Sequence, residues 1–297
     1  MYERLTKCPL CQKQSGLFLN HLVVKDHSVS HESFTICKCD KCNFLFTNPR
    51  PDQEHIGEYY KSEDYISHTD KSNNIVNFIY KQVRKYTLQQ KVNWINKHTA
   101  QKGRLLDFGS GTGHFLNQAK TNGWDCCGLE PSKEAAKIAK DNFDLNVYSE
   151  ITELDKEKKF DAITLFHVLE HVHDLKGTME FLLSKLKKRG TLFLAVPNYE
   201  SYDSALFKEN WAALDVPRHL YHFTQETMQY LAEEYDLRIS AKEPMPFDSY
   251  YVSILSNSIK YNKKNLINSF LTGYKSNKNA KINNNNYSSI LFILKKK

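Results

Sequence analysis

Between residues 104 and 196, short apolar runs alternate with amphipathic stretches, a pattern that predicts strands separated by helices. Arg104–Phe108, Asp125–Glu130, Leu145–Tyr148, Phe160–Val168 and Gly190–Pro197 read as strands. Gly113–Asn122, Ser132–Asn142 and Leu175–Lys187 read as helices, the second with Ser132 at its N-cap and Glu134 in its first turn. This order predicts an α/β fold with a doubly wound parallel sheet. Such sheets bind ligands beyond the carboxyl ends of their strands, at the point where strand order reverses.

The flanks extend the pattern. Apolar residues at positions 75, 76, 79, 83, 86, 88, 92 and 95 keep helical spacing, so one long helix is expected over Asn74–His98. Thr224 is placed to cap a further helix, and Leu237–Glu243 and Ser288–Lys296 complete a seven-stranded sheet. Between these two strands, Tyr250–Tyr274 shows helical spacing of apolar residues among lysines. It is expected as a helical lid insertion at about 250–275, with a membrane-surface helix as the competing reading. Lys275–Tyr287, with four successive asparagines, reads as a polar linker. Trp211–Thr224 is an aromatic, proline-interrupted loop expected at the ligand end of the sheet.

Cysteine spacing changes the picture at the N-terminus. Cys8-Pro-Leu-Cys11 and Cys39-Asp-Lys-Cys42 are two CxxC pairs, and each such turn aims two thiolates at one point. Together they supply four soft ligands in a tetrahedron, suited to a structural Zn²⁺ with no open position for water. Short strands at His21–Lys25 and Ser33–Lys38 between the pairs complete a zinc ribbon, with Cys37 a spare. The chain therefore divides into a ribbon (1–50), a linker and long helix capping the cofactor site (51–100), and the main domain (101–297).

Charge refines the list of partners. The 297 residues carry 41 Lys+Arg and 34 Asp+Glu, yet nine of the lysines and no acid follow Asp248. Residues 1–248 thus hold 32 basic against 34 acidic groups, which argues against a nucleic-acid-gripping core. The basic C-terminal segment is compatible with surface association. No run approaches the roughly 18–20 apolar residues of a membrane span, and the first residues lack the apolar stretch of a secretion signal, so a cytoplasmic location is expected.

The chemistry concentrates in the turn Asp107-Phe-Gly109-Ser-Gly111-Thr-Gly113. A dinucleotide fingerprint begun at Gly109 would need its third glycine where His114 stands, which disfavours NAD. Glu130 ends the next strand, where a carboxylate can take both hydroxyls of a ribose.

Four ordered motifs then carry a resemblance: Leu105–Leu116, Gly128-Leu-Glu-Pro-Ser132, Phe160–His171 and Gly190–Asn198. Together they resemble the class I S-adenosylmethionine (SAM)-dependent methyltransferases, with a Rossmann-like sheet. With the ribbon in front, the chain is similar to the sugar C-methyltransferases and related small-molecule methyltransferases. The resemblance implies that Asp107, Gly109 and Gly111, with Phe108 and Ser110, line the methionine and sulfonium side. It implies that Glu130 and Pro131 serve the ribose, Ser149–Ile151 the adenine, and Phe166 and His167 the edge beside the methyl group. For Glu170 and His171 helix entry and loop packing is the favoured reading.

Methylation of an O–H or C–H group needs a base near neutral pKa, and histidine is the simplest choice. His219 ranks first, followed by His167, with His222 and His68 as further candidates; Arg218 could pair with an anionic acceptor. The base motif of the sugar C-methyltransferases is altered here, with Arg218 in place of its glutamate and Val216 in place of its tyrosine. The expected function is SAM-dependent O- or C-methylation of a small molecule or a glycan or nucleotide-sugar precursor. The alternatives are a zinc-ribbon rRNA methyltransferase and a non-catalytic SAM-binding interaction protein.

Overall fold

A computed structural model describes residues 1–14, 18–61, 75–263 and 265–297, without the side chains of 75–81. Its centre is a seven-stranded sheet. The strands are β6 (Arg104–Phe108), β7 (Asp125–Leu129), β8 (Asn146–Tyr148), β9 (Phe160–Phe166), β10 (Leu186–Pro197), β12 (Leu237–Pro244) and β13 (Ser289–Lys296). They lie in the order β12-β13-β10-β9-β6-β7-β8. β13 runs antiparallel to both neighbours, while β6 to β10 pair in parallel. The chain winds outward through β6, β7 and β8, then crosses back to β9. The strand order therefore reverses between β6 and β9, and a crevice opens above that seam.

Local chemistry sets the helices. α1 (Ile75–His98) precedes the sheet, and α2 (His114–Thr121), α3 (Lys133–Phe143) and α4 (Leu175–Lys185) connect its strands. Ser132 caps α3 by accepting from the Ala135 N–H, as its spacing predicted. Thr224 caps α6 (Gln225–Glu234) by accepting from Thr227 N–H, and α5 (Tyr202–Phe207) lies just upstream. β9 stops at Phe166, two residues earlier than expected, because His167 turns into the left-handed region at φ 57°.

The N-terminal segment forms β1 (Tyr2–Glu3), β2 (Leu19–Lys25), β3 (Ser33–Lys38), β4 (Leu45–Thr47) and β5 (Arg50–Pro51). Its sheet is not self-contained. β1 and β5 pair with each other, and β11 (Tyr221–His222), from within the Trp211–Thr224 loop, pairs antiparallel with β4 as the fourth strand of the β2–β3–β4 sheet. Phe44 packs in tilted contact with Tyr221 and Phe223 at ring distances of 5.7 and 5.3 Å. The buried cysteines and Phe44 and Phe46 belong to the same apolar core as Leu106, Leu192 and Leu231.

The expected polar linker at Lys275–Tyr287 is overturned as far as Ile282, while the four asparagines that follow remain a connecting turn. Two helices fill the insertion, α7 (Pro246–Tyr261) and α8 (Leu266–Ile282), and the second runs through Lys275, Lys278 and Lys281. The helix persists because Ser276, Asn277 and Ala280 are buried on its inner side, so tertiary packing overrides the polar composition.

Candidate cofactor and acceptor site

The glycine turn follows β6 directly, and its backbone is tied down. Gly109 N–H and Ser110 N–H both donate to the Leu129 carbonyl at the end of β7, at 2.8 and 3.0 Å. Gly109 has φ +83°, and a Cβ there would meet Val168 at 2.4 Å. Gly111 has φ +53°, but nothing lies within 4 Å of where its Cβ would stand. One glycine is therefore demanded by packing, and the other leaves an open cradle for a ligand.

Glu130 faces this cradle. Its Oε2 accepts from Gly111 N–H at 2.8 Å and its Oε1 from Ser132 N–H at 2.9 Å. The backbone fixes the carboxylate and leaves it lone pairs for hydroxyls. Pro131 is exposed beside it, and Phe108 is buried. Ser110 Oγ is buried with no hydrogen-bond partner among the described residues. Ser149 and Glu150 line a separate open cavity with Lys140, Tyr148 and Glu153 beyond β8.

Asp107 spans the seam where strand order reverses. Its Oδ1 accepts from Thr164 Oγ1 of β9 at 2.7 Å. Burial raises its pKa to about 7, against the lowering effect of Thr164 and Lys91. Lys91, from α1, sits 4.1 Å over the Phe166 ring, and burial pulls its pKa down. Spacing alone gave Lys91 no role, since it stands on the helix that sequence assigned to capping.

His167 lies at the edge of a cavity of about 110 Å³, with Lys91, Trp94, Met245, Phe247 and Asp248 around it. Its Nε2 is 3.0 Å from Asp248 Oδ2, and its Nδ1 is 3.5 Å from Glu170 Oε1. Burial alone would lower this imidazole, but the two carboxylates outweigh it and bring its pKa up to about 9. Asp248 comes from the first turn of α7, so the insertion reaches the site at its root.

Glu170 is the residue whose role the sequence understated. It is fully buried, and both carboxylate oxygens lack a hydrogen-bond partner among the described residues. Burial would raise its pKa, but His167, His219 and His171 hold it below the usual range. The His171 and His219 rings pack edge to face at 4.5 Å. Each Nδ1 meets a backbone carbonyl, that of Arg218 at 3.0 Å and that of Ala213 at 2.8 Å respectively. A carbonyl only accepts, so each Nδ1 donates to it; the Tyr60 hydroxyl also lies 2.9 Å from His171 Nδ1, and His219 Nε2 is 4.0 Å from Asp215 Oδ2. Burial, then the neighbouring His219, bring His171 down to about 4.

The structure thus brings His167, Glu170, His171 and His219 together. A ligand atom from each of Glu170, His171 and His219 lies within 4.8 Å of the others, a set that could hold a divalent cation. His222 stands behind them, buried, with Nε2 3.3 Å from Thr47 Oγ1. Arg218 does not face an acceptor. Its guanidinium is committed to Asp215, the Tyr59 carbonyl and Asp26, so the anionic-acceptor role expected of it is withdrawn. His68 lies outside the described residues.

In the N-terminal segment, Cys8, Cys11, Cys39 and Cys42 are buried with their sulfurs within 4.8 Å of one another. Cys8 to Cys42 is 3.6 Å and Cys11 to Cys39 is 3.8 Å. Tetrahedral Zn–S bonds of about 2.3 Å place sulfurs about 3.8 Å apart, so the four fit the ion. Cys37 points instead at the Asn48 carbonyl, 3.4 Å away.

A model of the methyltransferase domain matches residues 80–242, more than half of the chain. The chain belongs to that methyltransferase-domain family. Among curated proteins, the ubiquinone biosynthesis O-methyltransferase of Rhodopseudomonas palustris (strain BisB5) is 26% identical over 123 residues, 39% of this chain and 49% of that protein. The ubiquinone biosynthesis O-methyltransferase of Paraburkholderia phymatum is 27% identical over 139 residues, 43% of this chain and 60% of that protein. The chain spans about half the length of the curated relatives it matches. Among solved structures, the magnesium protoporphyrin IX methyltransferase from Synechocystis PCC 6803 aligns with a TM-score of 0.54 at 12% identity. That alignment covers 83% of this chain and all of the other. The O-methyltransferase of a polyketide multienzyme from Brevibacillus brevis gives 0.52 at 17% identity, covering 74% and 75%. The seven-stranded sheet is accordingly the class I methyltransferase fold.

Proposed function

We propose that this protein is a SAM-dependent methyltransferase that methylates oxygen or carbon of a small molecule or of a glycan or nucleotide-sugar precursor. The observation that carries the reading is the open cradle at Gly111, set against the fixed Glu130 carboxylate at the reversal of strand order. The cofactor would supply an electrophilic methyl group on a sulfonium. Phe108, Gly109, Ser110 and Gly111 would line its methionine side, with Asp107 opposite its ammonium and Glu130 and Pro131 at the ribose. Phe166 and His167 would wall the edge from which the methyl leaves.

Transfer needs the acceptor atom in line with the methyl, which is chiefly a matter of positioning. His167, held charged by Asp248 and Glu170, is suited to donate a hydrogen bond to the acceptor rather than to take its proton. His219, with Nδ1–H anchored on the Ala213 carbonyl, has the tautomer of a base at Nε2. Glu170 would steady the positive charge that such a base acquires. The four N-terminal cysteines would hold zinc as a structural ion, with no open position for chemistry.

The test is calorimetric titration of S-adenosylhomocysteine, followed by transfer of labelled methyl from SAM to a panel of nucleotide-sugars and phenols. Binding with turnover on one acceptor class is the expected outcome. No cofactor binding would overturn the reading, and binding without turnover on any small molecule or RNA would favour an interaction protein.

A further inference from the structure

The α7–α8 hairpin is built inside out. On α8 the buried residues are Ser269, Thr272, Gly273, Ser276, Asn277 and Ala280. On α7 they are Ser249, Val252, Ser253, Ser256 and Asn257. The large apolar side chains of α8 face outward: Leu266 is 58% exposed, Ile267 77% and Phe270 61%, and Leu271 and Tyr274 are exposed beside them. Leu255 and Tyr261 add to the same end of the hairpin.

This arrangement is structurally determined. A Cβ on Gly273 would stand 2.9 Å from the Tyr250 Cα, so the two helices touch through their small residues. Ser249 Oγ donates to the Gly273 carbonyl at 3.2 Å, and Asn257 Nδ2 to Ser269 Oγ at 3.0 Å. Phe270 lies flat against Tyr250 at 5.0 Å. Small-residue and polar contacts of this kind join helices where burial of large apolar groups is not the driving force between them. In water, exposing a run of Leu, Ile and Phe on two turns of a helix marks a surface that something covers.

Charge says what covers it. Lys260, Lys263, Lys275, Lys278 and Lys281 are exposed around the apolar face, and no acidic residue follows Asp248. A second copy of the chain docking through the same face would set lysines against lysines. An apolar patch flanked by these lysines complements a hydrocarbon layer beneath anionic head groups.

We propose that the outward face of the α7–α8 hairpin docks on an anionic lipid bilayer, with Leu266, Ile267, Phe270 and Leu271 in the head-group region and the lysines on the phosphates. The hairpin lies on the surface rather than crossing it, since no described helix is long and apolar enough to span a membrane. Its root carries Phe247 and Asp248 at the His167 cavity. A second cleft, of about 510 Å³ and lined by Phe247, Tyr250, Tyr274 and Tyr287, adjoins that root. Docking therefore turns the mouth of the site toward the lipid, the geometry wanted for an amphiphilic acceptor. Only that last consequence rests on the methyltransferase reading.

The test is flotation of the full, zinc-loaded chain with vesicles of phosphatidylcholine alone, or mixed in equal parts with phosphatidylglycerol. Binding to the mixed vesicles is expected, at least about tenfold weaker without phosphatidylglycerol and falling with salt, since each lysine near such a surface contributes roughly fivefold. Ile267→Glu with Phe270→Glu should abolish flotation. Lys278→Gln with Lys281→Gln should weaken it by at least about tenfold. Both variants should keep wild-type affinity for S-adenosylhomocysteine, because these side chains are exposed and remote from Glu130. Failure of the wild type to float would overturn the proposal. So would equal flotation of the double-Glu variant, or a dimer in sedimentation that this variant dissolves. Cofactor affinity, measured on the same samples, reports separately on the methyltransferase reading.

Discussion

At Asp107, a carboxyl with a pKa raised to about 7 sits where the cofactor's ammonium is proposed to bind. A bound cation favours the ionised form, so affinity for S-adenosylhomocysteine should rise as pH climbs through about 7 and level off above it. The sign follows from burial: below that pH the site must release a proton before it can offer a charge. Calorimetry across this range should show proton release on binding, and Asp107→Asn should flatten the profile at low affinity. A pH-independent affinity would remove Asp107 from the ammonium. Glu130→Ala should cost about 1.5–3 kcal/mol of binding, the scale of hydrogen bonds to a charged group, and an unchanged affinity would reassign the ribose. For His219→Ala, a fall in turnover of about 10²–10⁴ with nearly unchanged cofactor affinity is expected of a lost base. Near-normal turnover would leave His167 as a hydrogen-bond donor and the reaction without a base. These residues differ in how visible they were. Asp107 and Glu130 announce themselves by standing at strand ends beside glycines. Lys91, Asp248 and the buried Glu170 acquire meaning only from side chains contributed by distant elements.

Among elements, the hairpin gives the sharpest contrast between pattern and structure. Helical spacing of apolar residues over 250–274 correctly indicated helix, but the usual inference that those residues face inward fails here. Gly273 is the position that decides it, since the approach of α7 leaves no room for a side chain. Gly273→Val should pry the helices apart at a cost of about 1–3 kcal/mol, the usual range for overpacking. A thermal melt checks this directly. A variant as stable as the wild type would mean that the hairpin is not held by that contact. The Lys275–Tyr287 stretch was read as linker because its composition is polar. Its helix survives on the burial of Ser276, Asn277 and Ala280, a contribution that composition does not record.

For the whole molecule, the question is whether the N-terminal segment is a separate bead. In sequence it reads as one, but β4 and β11 share a sheet, and Phe44, Phe46, Tyr221 and Phe223 share a core with the central strands. Loss of the proposed zinc should therefore be felt beyond residue 50. Cys39→Ser should release about one zinc per chain and lower the melting temperature of a single cooperative transition. Two separate transitions, with cofactor binding intact through the first, would instead mark an independent ribbon.

The sequence by itself determined the order of strands and helices, the glycine turn, the Glu130 position and the paired CxxC turns. Each of these is written in local spacing: period, cap, turn and ligand separation act over a few residues. The tertiary structure decided the rest. It joined Glu170 to two histidines, took Arg218 out of the acceptor site by pairing it with Asp26 and Asp215, bound the ribbon to the core through β11, and turned the hairpin's apolar face outward. Those outcomes depend on which distant surfaces meet, and side chains far apart in the chain compete for the same partners and the same buried space. Periodicity reports that a helix has two faces; only packing decides which of them is covered.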